Sequence, residues 1–176
     1  MHNVEYKAEL RDLEMARAAC RAVGAAFIAT LEQTDTYFRV PSGRLKRREC
    51  VGEPTEWIFY DRSNESRPRL SSFTIYSDSQ ARERFGVNPL PELVQVRKVR
   101  ELYLLDNVRI HLDEVEGLGR FFELEAMVSP GFPVPRCHAA VDRLRASFGQ
   151  VLGEALSVSY ADLIILERES ADQPVD

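Results

Sequence analysis

The stretch that decides the fold lies between Val94 and Ala126. It holds Val96-Arg97-Lys98-Val99-Arg100, then Asn107-Val108-Arg109-Ile110-His111-Leu112-Asp113, then Phe121-Phe122-Glu123-Leu124-Glu125-Ala126. Successive side chains on a strand point to opposite faces. Lys98 and Arg100 therefore share a face. Asn107, Arg109, His111 and Asp113 share one, opposite Val108, Ile110 and Leu112. Glu123 and Glu125 share one, opposite Phe122, Leu124 and Ala126. Leu105-Asp106 separates the first two runs and Gly117-Leu118-Gly119 the last two, so the runs read as antiparallel strands.

The same pattern extends outward in both directions. In Val4 to Leu10, Asn3, Glu5 and Lys7 alternate with Val4, Tyr6 and Ala8. Leu10, Leu13, Cys20 and Val23 recur at helical spacing, with Gly24 where a C-cap would stand. Phe27 to Val40 and Leu45 to Val51 flank the turn Pro41-Ser42-Gly43-Arg44 and predict a hairpin, in which Arg44, Lys46 and Arg48 share a face. Glu56 to Asp61 and Arg69 to Tyr76 are strand-like. Ser77 and Gln80 fit a capping box for a helix ending at Gly86. After Pro133 and Pro135, Val141, Leu144, Phe148 and Leu152 lie on one face of an amphipathic helix. Tyr160 to Leu166 is a short closing helix. The chain is thus expected to hold one domain, 1–168, and a polar tail, 169–176. Strands dominate and their links are mostly hairpin-length. The expected class is α+β, mostly β: an antiparallel barrel with helices packed on the outside.

Composition narrows the function. The chain has 176 residues, with 23 basic and 28 acidic side chains. A net charge of −5 argues against a general nucleic-acid surface, so no nucleic-acid polymer is expected as a partner. The basic residues are nonetheless bunched. Arg39, Arg44, Lys46, Arg47, Arg48, Arg62, Arg67 and Arg69 form one strip, and Arg97, Lys98 and Arg100 another, which suggests a concentrated anion site. No apolar run is long enough to span a membrane, and the first ten residues are not a signal peptide. Cys20, Cys50 and Cys137 form neither a disulfide framework nor a zinc knuckle. A cytoplasmic location is expected, with no membrane partner. No phosphate loop and no dinucleotide fingerprint is present, and His2, His111 and His138 make no zinc motif.

If exterior helices cover the apolar faces, the charged faces point inward. A barrel lined by Lys, Arg and Glu cannot be a dry core, because burying unpaired charge is too costly. It holds water, counter-charges or a ligand. A solvated outer face on a half-buried sheet is the other reading of each strand.

The ordered motifs add a resemblance. Val4-Glu5-Tyr6-Lys7-Ala8, Arg44-Leu45-Lys46-Arg47-Arg48, Tyr60-Asp61-Arg62, Arg69-Leu70-Ser71-Ser72-Phe73, the Val96 to Arg100 run, Val108 to Gly119, Phe121 to Glu125 and Ser159-Tyr160-Ala161-Asp162-Leu163 occur in one order along the chain. Together they resemble the CYTH superfamily, the triphosphate tunnel metalloenzymes. The likeness is greatest to the class IV adenylyl cyclase-like and thiamine triphosphatase group. The resemblance implies an eight-stranded antiparallel barrel forming a tunnel, with Mg²⁺ or Mn²⁺ as cofactor and a small triphosphate as substrate. Carried over by position, Glu5, Glu123 and Glu125 are the implied metal ligands. Lys7, Lys46, Arg48, Arg62, Arg69, Lys98, Arg100 and Arg109 are the implied phosphate ligands. Glu5, Lys7, Lys98 and Arg109 are the implied catalytic groups. The implied activity is conversion of ATP to cAMP and pyrophosphate. Hydrolysis of a triphosphate, or binding without turnover, are the alternatives, and a homodimer is left open. The family opens on Glu-x-Glu-x-Lys, whereas this chain has Asn3 at the first position, which removes one negative charge. His111 shares the face of Arg109, either as a hydrogen-bonded tunnel residue or as an acid–base.

Overall fold

Hairpin-length links between amphipathic strands make sequence neighbours into antiparallel partners, and the computed structural model, which describes residues 1–61 and 66–172, shows where the series closes. The strands are β1 (His2–Leu10), β2 (Ala26–Phe38), β3 (Arg44–Cys50), β4 (Glu56–Asp61), β5 (Arg69–Tyr76), β6 (Glu92–Leu105), β7 (Val108–Val115), β8 (Gly119–Met127) and β9 (Leu152–Ala155). The helices are α1 (Leu13–Ala22), α2 (Asp78–Phe85), α3 (Val134–Phe148) and α4 (Tyr160–Ala171). The sheet order is β5-β4-β3-β2-β6-β7-β8-β1, and β1 pairs with β5 to close an eight-stranded antiparallel barrel. Closure uses only His2 to Glu5 of β1, opposite Ser72 to Arg69. Farther along the same edge, Ala8 and Leu10 pair with Ala155 and Leu152 of β9, so this part of the edge is covered too.

The apolar strand faces are packed from outside. Val4, Tyr6, Ala8, Ile110, Leu112, Phe122, Leu124 and Ala126 form one buried core with Ala16 and Cys20 of α1 and Val141, Leu144 and Phe148 of α3. The charged faces of β1, β7 and β8 are thereby turned inward. A second cluster lies within the barrel, because Val94 and Val96 share a face with Lys98 and Arg100, and Phe121 shares one with Glu123. There Tyr37, Tyr60, Val94, Val96, Val115 and Phe121 meet Tyr160 and Ala161 of α4. The barrel interior is therefore apolar at one end and ionic elsewhere.

Local signals set several boundaries. Gly43 has φ +66°, and a Cβ there would lie 2.7 Å from the Phe59 ring, so the β2–β3 turn requires glycine. The capping box of α2 pairs Ser77 with Gln80 as expected. The β6–β7 turn falls at Asp106-Asn107 rather than Leu105-Asp106, with Asp106 in the left-handed region at φ 50°. Helical periodicity carried Leu152 onto the α3 face, but α3 stops at Phe148. One 3₁₀ turn, Gly149–Val151, follows, and Leu152 begins β9. α4 runs to Ala171, so residues 169–171 are helical, and 173–176 lie outside the described residues. No helix among the described residues is long and apolar enough to cross a membrane.

Candidate active site in the barrel interior

Strand register arranges the inward side chains in rungs. Glu5 lies opposite Arg69 on one side and Glu125 on the other, and Glu125 lies opposite Arg109. On the next rung Lys7 lies opposite Glu123, and Glu123 opposite His111. Beyond them Asp113 faces Arg100, and Gln33 faces Lys98. On β2 and β3, Asp35 faces Arg48 and Tyr37 faces Lys46. These rungs surround a cavity of about 150 Å³. Its lining includes the cations Lys7, Lys46, Arg48, Lys98, Arg100 and Arg109, and the carboxylates Glu5, Glu56, Glu123 and Glu125.

Two further acids sit behind this lining and were missed as site residues in the sequence. Asp35 is 1% exposed and takes three cations. Arg48 donates through Nε and Nη2 at 2.8 Å each, Lys98 Nζ at 2.8 Å and Lys46 Nζ at 3.0 Å. Burial alone would raise the Asp35 carboxyl, but Arg48, Lys46 and Lys98 outweigh it and hold it well below the usual range. Asp113 accepts both Arg100 donors at 2.7 Å and the Tyr160 hydroxyl at 2.7 Å. Burial again opposes the charge, and Arg100 overcomes it, bringing Asp113 down to about 2. Asp35 stands in the alternating series Gln33, Asp35, Tyr37, a polar face inside a run whose β-branched and aromatic residues drew the reading. That face was its available signal.

Glu123 accepts Arg100 Nη2 at 2.8 Å and lies 3.5 Å from Lys7 Nζ and 3.3 Å from His111 Nδ1. Burial would raise it, but Lys7, His111 and Arg100 together hold it well below the usual carboxylate range. Lys98 behaves in the opposite sense. Burial, helped by Arg48, Arg100 and Lys46, outweighs Asp35 and brings its ammonium down to about 7. Tyr160 is raised by burial and then by Asp113 and Glu123, so its phenol stays protonated and donates to Asp113. Its ring also lies 3.9 Å from Lys7 Nζ. Tyr160 thus joins the apolar end of the barrel to the ionic interior. Its helix is tied in by Arg44, which donates to Asp162 at 2.6 Å and to Ser159 at 3.0 Å.

The expected residues thus converge, with differences of arrangement. Glu123 and Glu125 form a group with His111, their ligand atoms all within 4.8 Å of one another. Glu5 instead accepts Arg69 Nε at 3.1 Å. Arg109 lies at the mouth, its side chain 47% exposed and 3.9 Å from Glu125. Arg69 is buried and also donates to the Ser157 carbonyl. Arg62 falls outside the described residues.

A closed antiparallel barrel whose interior carries opposed ladders of cations and carboxylates defines a protein of the triphosphate tunnel fold. The CYTH domain family matches residues 1–131, and the chain belongs to that family. It is 28% identical over 141 residues to a protein of Methanocaldococcus jannaschii named "Putative adenylate cyclase", an overlap of 73% of this chain and 79% of that one. Two solved structures share the fold. The PH1012 protein of Pyrococcus horikoshii superposes with a TM-score of 0.71 at 20% identity, covering 92% of this chain and 98% of its own. A Hippeastrum protein, described as a putative adenylyl cyclase with a dominant triphosphatase activity, gives 0.62 at 15% identity, covering 98% of each chain. CYTH tunnel enzymes act on triphosphates and depend on divalent metal. The donors of this group fit such an ion. Two carboxylates converge, as Mg²⁺ and Mn²⁺ prefer, and one imidazole stands beside them.

Proposed function

We propose that this chain is a divalent-metal-dependent enzyme acting on a triphosphate held inside the barrel. The observation that supports it best is the set of inward cations around one cavity: Lys7, Lys46, Arg48, Lys98, Arg100 and Arg109. A triphosphate carries about four negative charges near neutral pH, and its transfer chemistry needs those charges held and the developing charge neutralised. Arg100 and Arg48 are locked in bidentate pairs with Asp113 and Asp35, so each guanidinium is held in place before any ligand arrives. Arg69, buried beside Glu5 and outside the cavity lining, would steady that edge of the grip. Glu123 and Glu125, with Glu5 on the adjoining strand, are the residues that would hold Mg²⁺ or Mn²⁺. A bound ion would supply charge neutralisation at the phosphoryl oxygens. Lys7, Lys98 and Arg109 would stabilise charge on the transferring group, and Glu5 would set the position of Arg69.

The reaction placed first is cyclisation of ATP, supported by the name of the 28% identical relative. The ribose 3′ hydroxyl gives its proton to solvent as its oxygen bonds to the α-phosphorus, the bond from the α-phosphorus to the α–β bridging oxygen breaks, and pyrophosphate leaves with that oxygen. Hydrolysis is the second reading, favoured by His111, whose imidazole beside Glu123 and Glu125 could take a proton from an attacking water. A cytoplasmic location accords with three free cysteines. Phosphorus NMR of ATP, thiamine triphosphate and tripolyphosphate, each with Mg²⁺ or Mn²⁺, tests the proposal. Pyrophosphate with cAMP supports cyclisation, and orthophosphate supports hydrolysis. An unchanged spectrum for all three substrates overturns the enzyme reading.

A further inference from the structure

The cavity wall is not ionic all round. On β4 the inward side chains are Glu56, Ile58 and Tyr60, and on β5 they are Ser71, Phe73 and Ile75. Register sets Ile58 directly opposite Ile75, and Tyr60 opposite Phe73, so four apolar side chains form one continuous patch. Across the cavity the equivalent strand positions carry Lys, Arg and Glu. Tyr60 is buried, and Ile58 and Phe73 lean on the apolar cluster that includes Tyr37 and Tyr60, yet both still line the cavity. Ile75 lies outside that cluster and is 38% exposed. Apolar surface left facing a charged, wet cavity costs free energy that burial against another apolar surface would recover.

Asn3 supplies the second observation. It lines the same cavity and is 4% exposed, yet its side-chain oxygen has no hydrogen-bond partner among the described residues. Asn3 pairs with Ser71 across the β1–β5 seam, and Ser71 shares the inward face of Phe73. The unsatisfied acceptor therefore stands between the apolar patch and the Glu5–Arg69 rung. A buried carbonyl oxygen without a partner is unfavourable unless a ligand supplies a donor.

We propose that Ile58, Phe73 and Ile75, backed by Tyr60, seat the organic group of a triphosphate ester, a planar ring of nucleobase type, and that Asn3 receives a hydrogen bond from an N–H or O–H of that group. This inference rests on the triphosphate reading of the ionic rungs. It places the ester end of the substrate at the β4–β5 wall and the phosphate chain along the cations, and it makes inorganic tripolyphosphate a ligand that leaves the β4–β5 wall uncovered. Stacking of a base on an apolar or aromatic surface changes affinity by about tenfold.

Calorimetric titration of ATP and of tripolyphosphate, both with EDTA, into the wild type and into Phe73→Ala, Ile75→Ser and Asn3→Ala separates the claims. ATP affinity is expected to fall about tenfold in Phe73→Ala and severalfold in the other two, with tripolyphosphate affinity unchanged. Retained tripolyphosphate binding also reports that a variant is folded, and the exposed Ile75 site carries the test if Phe73→Ala is unstable. Equal effects on both ligands, or on neither, overturn the organic-group seat while leaving the triphosphate grip standing. Failure of the wild type to bind either ligand overturns the grip and this inference with it.

Discussion

If Lys98 belongs to the proposed phosphate grip, binding of a triphosphate should be pH-dependent, with a calculable slope. Its ammonium is buried among Arg48, Arg100 and Lys46, with Asp35 as its immediate counter-charge, and stands at about 7 instead of 10.5. At pH 8 roughly nine in ten molecules of the empty protein therefore carry a neutral Lys98. A triphosphate beside it would restore the charged form, so binding draws in close to one proton. Affinity then falls about fivefold from pH 7 to pH 8 and nearly tenfold from pH 8 to pH 9, the slope approaching about 1.4 kcal/mol per unit. Lys98→Arg keeps its charge throughout this range, so the slope should vanish in that variant. Titration calorimetry of tripolyphosphate in buffers of different ionisation enthalpy counts the protons directly. No uptake at pH 8 in the wild type, or the same slope in Lys98→Arg, would refute the reasoning. The sign for stability follows from the same depression. Between about pH 7 and 10.5 the unfolded chain holds this proton and the folded protein does not, so the contribution of Lys98 to stability improves as pH rises through that window.

Asp35→Asn strands Lys46, Arg48 and Lys98 without their shared acid, and loss of one partner in a buried pair costs about 3–5 kcal/mol. Denaturant titration should show that loss, and tripolyphosphate should raise the Tm of the variant more than that of the wild type, because the ligand replaces the missing anion; equal shifts would contradict this. Glu125→Gln should raise the Mn²⁺ concentration needed for activity about tenfold, with metal-free tripolyphosphate binding kept or tightened, as metal titrations of activity and calorimetry would show. Gly43→Ala forces a Cβ against the Phe59 ring at a positive φ and should lower stability by about 1–2 kcal/mol in thermal unfolding, with the ionic interior untouched.

The barrel was legible because its strands alternate cleanly. Val4, Tyr6 and Ala8 against Asn3, Glu5 and Lys7 give both the strand and the inward face, and α1 and α3 are legible as the covers for the apolar side. β9 was not legible, since Leu152 continues the 3.6-residue period of α3 and only pairing with β1 in three dimensions makes it a strand. The cations of the site could be read from their bunching along the chain. Their counter-ions could not. Asp35 and Asp113 lie within mixed runs, and although alternation puts Asp113 on the Arg109 face, nothing in either run shows which partners the acid takes: Arg48 and Arg100 come from hairpin partners, Lys98 and Tyr160 from elements far away in sequence. His111 likewise joins Glu123 and Glu125 only through β7–β8 register. The switch from an ionic interior to an apolar one, around Val94, Val96 and Tyr160, depends on where α4 packs, which strand periodicity does not encode.

The decisive observation is where the triphosphate and the metal sit. Crystals grown with Mn²⁺ and a non-hydrolysable ATP analogue, measured at the manganese absorption edge, answer this in one experiment. The predicted result is phosphate density inside the barrel along Lys46, Arg48, Lys98 and Arg100, with an anomalous peak at Glu123 and Glu125. Analogue bound on the outer surface, or an anomalous peak away from those two carboxylates, would contradict the account.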